Sequence, residues 1–77
     1  MKIRKNKITG GIFCVFQKDN NFFYADLSFT IDHGYECMIF PCDKNGKVKS
    51  WQEVFVKRYD GITEENLLDS VKTFLSQ

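Results

Sequence analysis

Proline, histidine and long apolar segments are scarce in this sequence, and each absence excludes a class of structure or function. Pro41 and His33 are the only residues of their types in the 77-residue chain. No apolar run approaches the roughly 20 residues that a membrane-spanning helix requires, so we expect no membrane partner. The sequence contains no glycine-rich phosphate-binding loop, and no apolar segment follows the charged N-terminus as it would in a secretory signal. We therefore expect no nucleotide cofactor. A length of 77 residues predicts a single domain, residues 1–77.

Cysteine is present in an odd number, which argues against a complete set of disulfides. Cys14, Cys37 and Cys42 are the three cysteines, and a small disulfide-stabilised domain normally has an even count. Free thiols are typical of a reducing compartment, so we expect a cytoplasmic protein.

The segment 31–42 holds His33, Cys37 and Cys42, and it is the one place where the sequence suggests reactive chemistry. If residues 37–42 form an extended strand, five steps of about 3.3 Å place the two thiols about 16 Å apart, too far to share a metal ion. A cysteine–histidine nucleophile requires the two side chains within hydrogen-bonding distance, and Cys37 would reach His33 only if the chain folded back. Asp32, the candidate third group, is adjacent to His33, and adjacent residues of an extended chain point to opposite sides. We therefore predict no metal site, no cofactor and no catalytic residue, with Cys14 and Cys37 packed in the core.

Three stretches have the pattern of β-strands. Residues 11–18 and 21–29 are rich in aromatic and β-branched side chains, and the turn-forming segment 18–21 between them predicts a β-hairpin. In the second strand, Phe23, Ala25, Leu27 and Phe29 should share one face, while Asp26 lies on the other. Residues 35–40 form the third predicted strand.

The region after residue 40 contains two strong signals. Proline does not donate a backbone hydrogen bond, so we expect Pro41 to end the third strand. Asn45-Gly46 is a typical two-residue hairpin turn. It predicts a further strand over 51–59, with its start open as far back as Lys47.

The C-terminal segment changes to a helical period. Thr63 is a suitable N-cap, followed by two acids in the first turn, so we expect a helix over residues 64–75. Such a short helix is not stable alone and must pack on the sheet. Its apolar face consists of Leu67, Leu68, Val71, Phe74 and Leu75.

Together these patterns predict an α+β fold, with a four- or five-stranded antiparallel sheet and one C-terminal helix on one face. Residues 1–8 are either an edge strand or a basic arm. The register of the first hairpin is open by one residue, so either Phe13 or Phe16 faces the core. Our predicted core comprises Phe13, Val15, Phe23, Leu27, Met38, Phe40, Phe55, Leu67, Val71 and Phe74.

The segment "GYECMIFPCDKNGKVKSWQEVFVKRYDGITEENLLDSVKTFL" is similar to small uncharacterised proteins of phages and mobile elements of Gram-positive bacteria. The resemblance covers about half of the chain and implies no particular activity. A fainter resemblance connects "FQKDNNFFYADL" and "TEENLLDSVKTFL" with the hairpin and helix of HicB-type antitoxins. About thirty residues with two further predicted strands separate these parts here, so no site residue is carried over from that family.

Without a catalytic constellation, we expect a non-enzymatic module that binds a protein, as a monomer or homodimer. The phage-like resemblance implies an accessory protein that binds a host protein, for example an inhibitor of a defence system of the anti-CRISPR kind. Aromatic residues and arginine dominate binding energy at interfaces. The predicted contact patch consists of Tyr24, Tyr35, Trp51, Arg58 and Tyr59.

The alternative function is nucleic-acid binding. The net charge is only +1, which predicts no overall attraction to a polyanion. Two clusters of basic residues nonetheless occur, one before the first acid and one in the predicted turn, and they are either solvated or contact phosphates. Their members are Lys2, Arg4, Lys5, Lys7, Lys44, Lys47 and Lys49.

Overall fold

A computed structural model describes all residues from Met1 to Gln77. It confirms the α+β fold: a five-stranded antiparallel sheet in which each strand pairs with the next along the chain, and one C-terminal helix. No helix has both the length and the apolar character needed to span a membrane. The elements are β1 (Arg4–Lys5), β2 (Ile12–Lys18), β3 (Asn21–Thr30), β4 (Gly34–Cys42), β5 (Phe55–Tyr59) and α1 (Glu64–Leu75).

The β2–β3 hairpin forms at the predicted turn. Asp19 has a φ of 57°, the left-handed conformation that Asp tolerates in tight turns. Cys14 lies opposite Ala25, and this register puts Ala25 and Leu27 on the face that α1 covers. The predicted alternation of β3 is therefore confirmed, and Asp26 lies on the opposite face.

The core lies between α1 and one face of the sheet, which we call the covered face. Phe74 of α1 meets the rings of Phe16, Phe23 and Phe55 at centroid distances of 5.9, 4.9 and 5.9 Å. Edge-to-face packing of this kind adds to the free energy gained from burial. The nine buried residues of the core cluster are Cys14, Phe16, Ala25, Leu27, Cys37, Ile39, Leu67, Val71 and Phe74.

Both ends of α1 have hydrogen-bonding partners. The Thr63 hydroxyl accepts from the backbone N–H of Asn66 at 3.0 Å, which confirms the predicted N-cap. At the other end, the Lys18 ammonium donates to the carbonyls of Phe74 and Gln77, both at 3.0 Å. A cation at a helix C-terminus also interacts favourably with the helix dipole, so the β2–β3 turn and the end of α1 are joined.

The structure resolves the register of β2 and corrects the face of four predicted core members. Cys14 and Phe16 face α1, so Phe13 and Val15 lie on the opposite face of the sheet, which we call the open face. Met38 and Phe40 of β4 lie on that face too, opposite Asp26 and Tyr24, although Phe40 is buried there at 7% exposed. Alternation alone does not distinguish the two registers of β2, because both sets of residues in "IFCVF" are apolar.

Pro41 does not end β4, contrary to prediction. It lies within the strand, opposite Phe23, and β4 continues to Cys42. The Pro41 carbonyl accepts from the Lys49 N–H at 2.9 Å, so the peptide groups of this residue point away from β3. Because its nitrogen faces the side where β5 is absent, no ladder hydrogen bond is lost.

The predicted strand 51–59 is shorter than expected. Asn45 and Gly46 form a tight turn, in which the Gly46 N–H donates to the Asp43 carbonyl at 3.0 Å. Pairing after this turn is limited to a single bridge between Cys42 and Val48. The chain then forms a loop, and β5 begins only at Phe55, opposite Ile39.

The N-terminal residues form an edge strand rather than a free arm. Arg4 and Lys5 pair with β2, and a loop over residues 6–11 returns the chain to β2. The Asn6 side-chain amide of this loop donates to the Asp26 carboxylate at 2.8 Å. Gly11 passes so close to β3 that a Cβ there would lie 2.2 Å from the Leu27 carbonyl oxygen, so only glycine fits.

Candidate binding surface on the open face of the sheet

The open face carries a row of aromatic side chains that no helix covers. Phe13 of β2 stacks on Tyr24 of β3, with ring centroids 5.1 Å apart. Phe40 of β4 meets Trp51, from the loop before β5, edge-to-face at 5.1 Å. Trp51 is 72% exposed, so most of its indole ring faces solvent.

These rings line a cavity of about 600 Å³, which we call the aromatic groove. Its apolar lining consists of Ile8, Phe13, Tyr24, Met38, Phe40 and Trp51. Its polar lining consists of Lys5, Asn6, Lys7, Thr9, Asp26 and Ser28. An apolar concave surface with a few polar groups is the usual form of a binding site.

The first wall of the groove is the loop 6–11, which hydrogen bonds hold in shape. The Asn6 side-chain oxygen accepts from the backbone N–H groups of Ile8 and Thr9 at 3.0 and 3.3 Å, while its amide reaches Asp26. Asn6 is therefore both a turn residue and a link to the sheet. Ile8 is 96% exposed at the top of this wall.

The second wall is the loop that carries Trp51. Its start is held by the hydrogen bond from Lys49 to the Pro41 carbonyl, and its end by a bond of 2.8 Å from the Val54 N–H to the Ile39 carbonyl. Both ends of the loop are thus attached to β4. This attachment positions Trp51 over Phe40 although no strand contains it.

A second cavity, of about 410 Å³, adjoins the groove and brings the two basic clusters together. We call it the basic corner; Lys2 and Arg4 line it from the N-terminus, and Lys44 lines it from the β4–β5 connection. Phe13 lines both cavities, so the basic corner and the aromatic groove are adjacent.

The turn beside Lys44 is held by the Asp43 carboxylate, which accepts hydrogen bonds from the backbone of the turn. One Asp43 carboxylate oxygen accepts from the backbone N–H groups of Lys47 and Asn45 at 3.0 and 2.8 Å. These bonds hold the pKa of Asp43 below its ordinary value, and the bond from Lys47 makes the largest contribution. The Asp43 carboxylate is therefore committed to the turn.

The structure divides the predicted contact patch between the two faces. Tyr24 and Trp51 line the groove, and Arg58 also lies on the open face. Tyr35 and Tyr59 pair with each other on the covered side. The Tyr59 hydroxyl is 2.7 Å from an Asp69 carboxylate oxygen and 2.6 Å from the Ser70 hydroxyl, so its hydrogen-bonding capacity serves the helix.

The seven basic residues predicted to contact nucleic acid are also divided among different parts of the surface. Lys5 and Lys7 line the aromatic groove, while Lys2, Arg4 and Lys44 line the basic corner. Lys47 and Lys49 line neither cavity. Five of the seven residues therefore line two adjacent cavities.

Glu36 is a buried acid that the sequence patterns did not single out. Its side chain is 4% exposed, and its Oε2 atom lies 3.7 Å from Arg58 Nε. The other oxygen, Oε1, has no hydrogen-bonding partner. Arg58 also donates to His33 Nδ1 at 2.9 Å. The cross-strand pairing of Glu36 with Arg58 depends on the strand register, which the sequence did not specify.

The three thiols are divided between the two faces of the sheet. Cys14 and Cys37 are buried under α1, which confirms their predicted packing, whereas Cys42 is buried on the open-face side of β4. Burial raises the pKa of both Cys14 and Cys37 to about 11. They are protonated at neutral pH, and the thiolate is the nucleophilic form. His33 lies in the exposed β3–β4 turn, away from the covered face.

Comparison with known proteins adds no relative to this picture. No protein-family model, no curated protein and no solved structure matches the chain. The surface itself is therefore the basis on which a function is argued.

The sequence revealed some residues of this surface but not its shape. Tyr24, Trp51 and the lysines were identified from residue type and spacing. Asn6 and Ile8 were missed, because the Asn6–Asp26 hydrogen bond joins residues 20 positions apart. The only available sequence signal was the polar Asp26 in an otherwise apolar strand.

Proposed function

We propose that the chain is a small non-enzymatic module that binds a partner protein through the aromatic groove. The observation that carries this proposal is Trp51, 72% exposed on a loop attached at both ends and adjoining an apolar concavity. Tryptophan is the residue type most enriched among those that dominate interface energy. A fixed position also lowers the entropic cost of binding.

Exposed apolar residues of the groove support a protein as the partner. Ile8 is 96% exposed and Trp51 is 72% exposed, and both line the groove. Exposed apolar patches are often sites that a partner covers. Burial of Ile8 and Trp51 together would contribute favourable free energy without any change in the fold.

The resemblance to phage and mobile-element proteins supports a finer version of this proposal. In that version the partner is a host protein, and binding inhibits a defence system in the manner of anti-CRISPR proteins. The compact module would then act by occupying a surface on its target, with no chemical step of its own.

Capture experiments with two aromatic variants test the proposal. The tagged chain, its Trp51→Ala variant and its Phe29→Ala variant are each exposed to nuclease-treated lysate of a Gram-positive bacterium. Phe29 is a matched control, because it is 55% exposed but follows the covered-face alternation of β3. We expect the same stoichiometric protein with the parent chain and Phe29→Ala, and at least tenfold less with Trp51→Ala.

Two outcomes would contradict it. Equal capture by all three chains would remove the groove from the interaction. Loss of capture by both variants would show that exposed aromatic residues on either face of the sheet contribute to binding, so that the groove is not the specific site. Circular dichroism of each variant establishes that the fold is retained.

Nucleic-acid binding is a second candidate, favoured by the convergence of Lys2, Arg4 and Lys44 in one cavity. Cations next to exposed aromatic rings are typical of surfaces that bind single strands. Such binding should weaken steeply with salt, by about 0.7 logarithmic units for each neutralised phosphate per tenfold change in salt concentration. Titration of labelled oligothymidine at two salt concentrations measures this slope, and undetectable binding at low salt would exclude the candidate.

A further inference from the structure

We propose that the occupant of the open face is a protein segment with acidic residues next to an apolar or aromatic anchor. The anchor would enter the aromatic groove, and the acids would meet the basic corner. This inference rests on the proposed function, because it specifies the chemistry of the protein partner at the same site.

The charges around the two cavities are strongly unbalanced. Five basic residues line them, although Lys5, opposite Ile12, directs its side chain to the covered face, and Asp26 is the single acid among the lining residues. The chain as a whole has a net charge of only +1, so the imbalance is local. The five cations are Lys2, Arg4, Lys5, Lys7 and Lys44.

None of these five cations has an acidic partner within the molecule. The two ion pairs of the structure are Lys57 with Asp69 and Arg58 with Glu36, and none of these four residues lines either cavity. Asp43, the acid next to Lys44 in sequence, is occupied by the backbone of its own turn. An incoming carboxylate would therefore meet cations that do not have to break an existing ion pair.

The arrangement of charge and apolar surface sets the order of groups on the partner. Trp51, Phe40 and Met38 lie in the groove, and Phe13 connects it with the basic corner. Asp26 lines the groove and already accepts one hydrogen bond from Asn6. A carboxylate placed deep in the groove would be repelled by Asp26, so the acids belong beside the anchor and toward Lys2, Arg4 and Lys44.

The same features favour a protein segment over a nucleic acid. Phe13 and Tyr24 already stack on each other, so one face of each ring is unavailable to a base. Ile8 and Met38 offer aliphatic contact, which suits a side chain better than a base. Asp26 would also repel a phosphate that follows the groove.

Trp51 provides the measurement, because it is the only tryptophan of the chain and lies in the groove. The full chain is titrated with an acetylated peptide, Leu-Phe-Gly-Glu-Glu-Glu-Glu, and its emission is recorded. A matched peptide with glutamine in place of each glutamate measures the contribution of charge. We expect a saturable shift in Trp51 emission and about tenfold tighter binding of the acidic peptide, decreasing as salt is raised.

Charge-matched variants locate the effect. Arg4→Gln with Lys44→Gln removes two cations of the basic corner, whereas Lys49→Gln with Lys72→Gln removes two cations that line neither cavity. The first pair should abolish most of the preference for the acidic peptide, and the second should preserve it.

Several results would overturn the inference: no emission change with the acidic peptide up to 1 mM, equal affinity for both peptides, or equal losses in the two double variants. Tighter binding of oligothymidine than of the acidic peptide at the same salt would also overturn it, in favour of nucleic acid. If Trp51→Ala still abolished lysate capture while the peptides showed no charge preference, the proposed function would stand and this inference alone would fail.

Discussion

On the covered face, Phe16, Phe23 and Phe55 converge on Phe74, and the residues around them are almost inaccessible to solvent. On the open face, Phe13, Tyr24 and Phe40 also lie in a row, but they are approached by loops instead of a helix: Trp51, the loop 6–11 and the turn at Lys44. The two faces of one sheet thus have similar residue types and different cover. Apolar character alone therefore does not distinguish a core from a binding surface in this molecule.

The difference has a consequence for how each face tolerates change. Removing atoms from the covered face leaves a void between α1 and the sheet, since neighbouring side chains relax only partly. Removing atoms from the open face widens a groove that solvent already enters. Stability should therefore depend on the first face, and binding on the second.

Neighbouring residues of β4 provide the largest test of this contrast. Ile39 is fully buried on the covered face, so Ile39→Ala should lower the free energy of unfolding by about 2–5 kcal/mol. Met38 is the next residue but points into the groove, so Met38→Ala should cost clearly less. Urea denaturation of both variants measures the difference, and equal losses would show that the open face is also a core.

Alkaline pH should weaken the covered face through its two thiols. Burial holds the pKa of Cys14 and Cys37 at about 11, above the value of 9.0 for a free thiol. Between pH 9 and 11 the unfolded chain releases these protons while the folded chain retains them, so stability falls as pH rises. The expected loss is about 1.4 kcal/mol per pH unit for each thiol at most.

The thiol contribution can be isolated by substitution. A Cys14→Ala/Cys37→Ala variant should show a flatter decline of stability over the same pH range, although its stability at pH 7 is lower. Denaturation curves at pH 7, 9 and 10.5 provide the comparison. An unchanged slope in the variant would assign the alkaline loss to other groups.

Glycine substitutions test how the loop 6–11 is held against the sheet. A Cβ at Gly11 would lie 2.2 Å from the Leu27 carbonyl oxygen, whereas one at Gly61 would meet no atom within 4 Å. Gly11→Ala should therefore cost about 1–3 kcal/mol through overpacking. Gly61→Ala should be neutral or stabilise by up to about 1 kcal/mol, because it restricts the unfolded chain. Thermal melts of both variants measure this, and a neutral Gly11→Ala would contradict the close approach.

These contrasts also explain which parts of the structure could be predicted from the sequence. The faces of β3 were predictable, because Asp26 and Ser28 mark one of them as polar. The faces of β2 were not, since Ile12, Cys14 and Phe16 on one side are matched by Phe13 and Val15 on the other. The helix was predictable from its N-cap and its apolar period, both of which are local signals.

The candidate site was predictable in its residue types but not in its geometry. Tyr24 and Trp51 were identified as aromatic contacts, yet their proximity depends on where β5 begins. The Asn-Gly turn suggested a continuous hairpin, whereas the structure has a single bridge at Val48 followed by a loop. Long-range contacts, such as those of Asn6 with Asp26 and Lys49 with Pro41, decide the shape of the groove, and such contacts leave no local pattern.

Trp51→Ala should have a small effect on stability and a large effect on binding. Trp51 is 72% exposed and has one aromatic contact, with Phe40, so its removal should cost no more than about 1 kcal/mol. A melting temperature close to that of the parent chain, together with loss of partner capture, would show that the open face serves binding and the covered face serves stability. A loss of several kcal/mol would instead place Trp51 among the residues that stabilise the fold, and would remove the main support for a binding surface there.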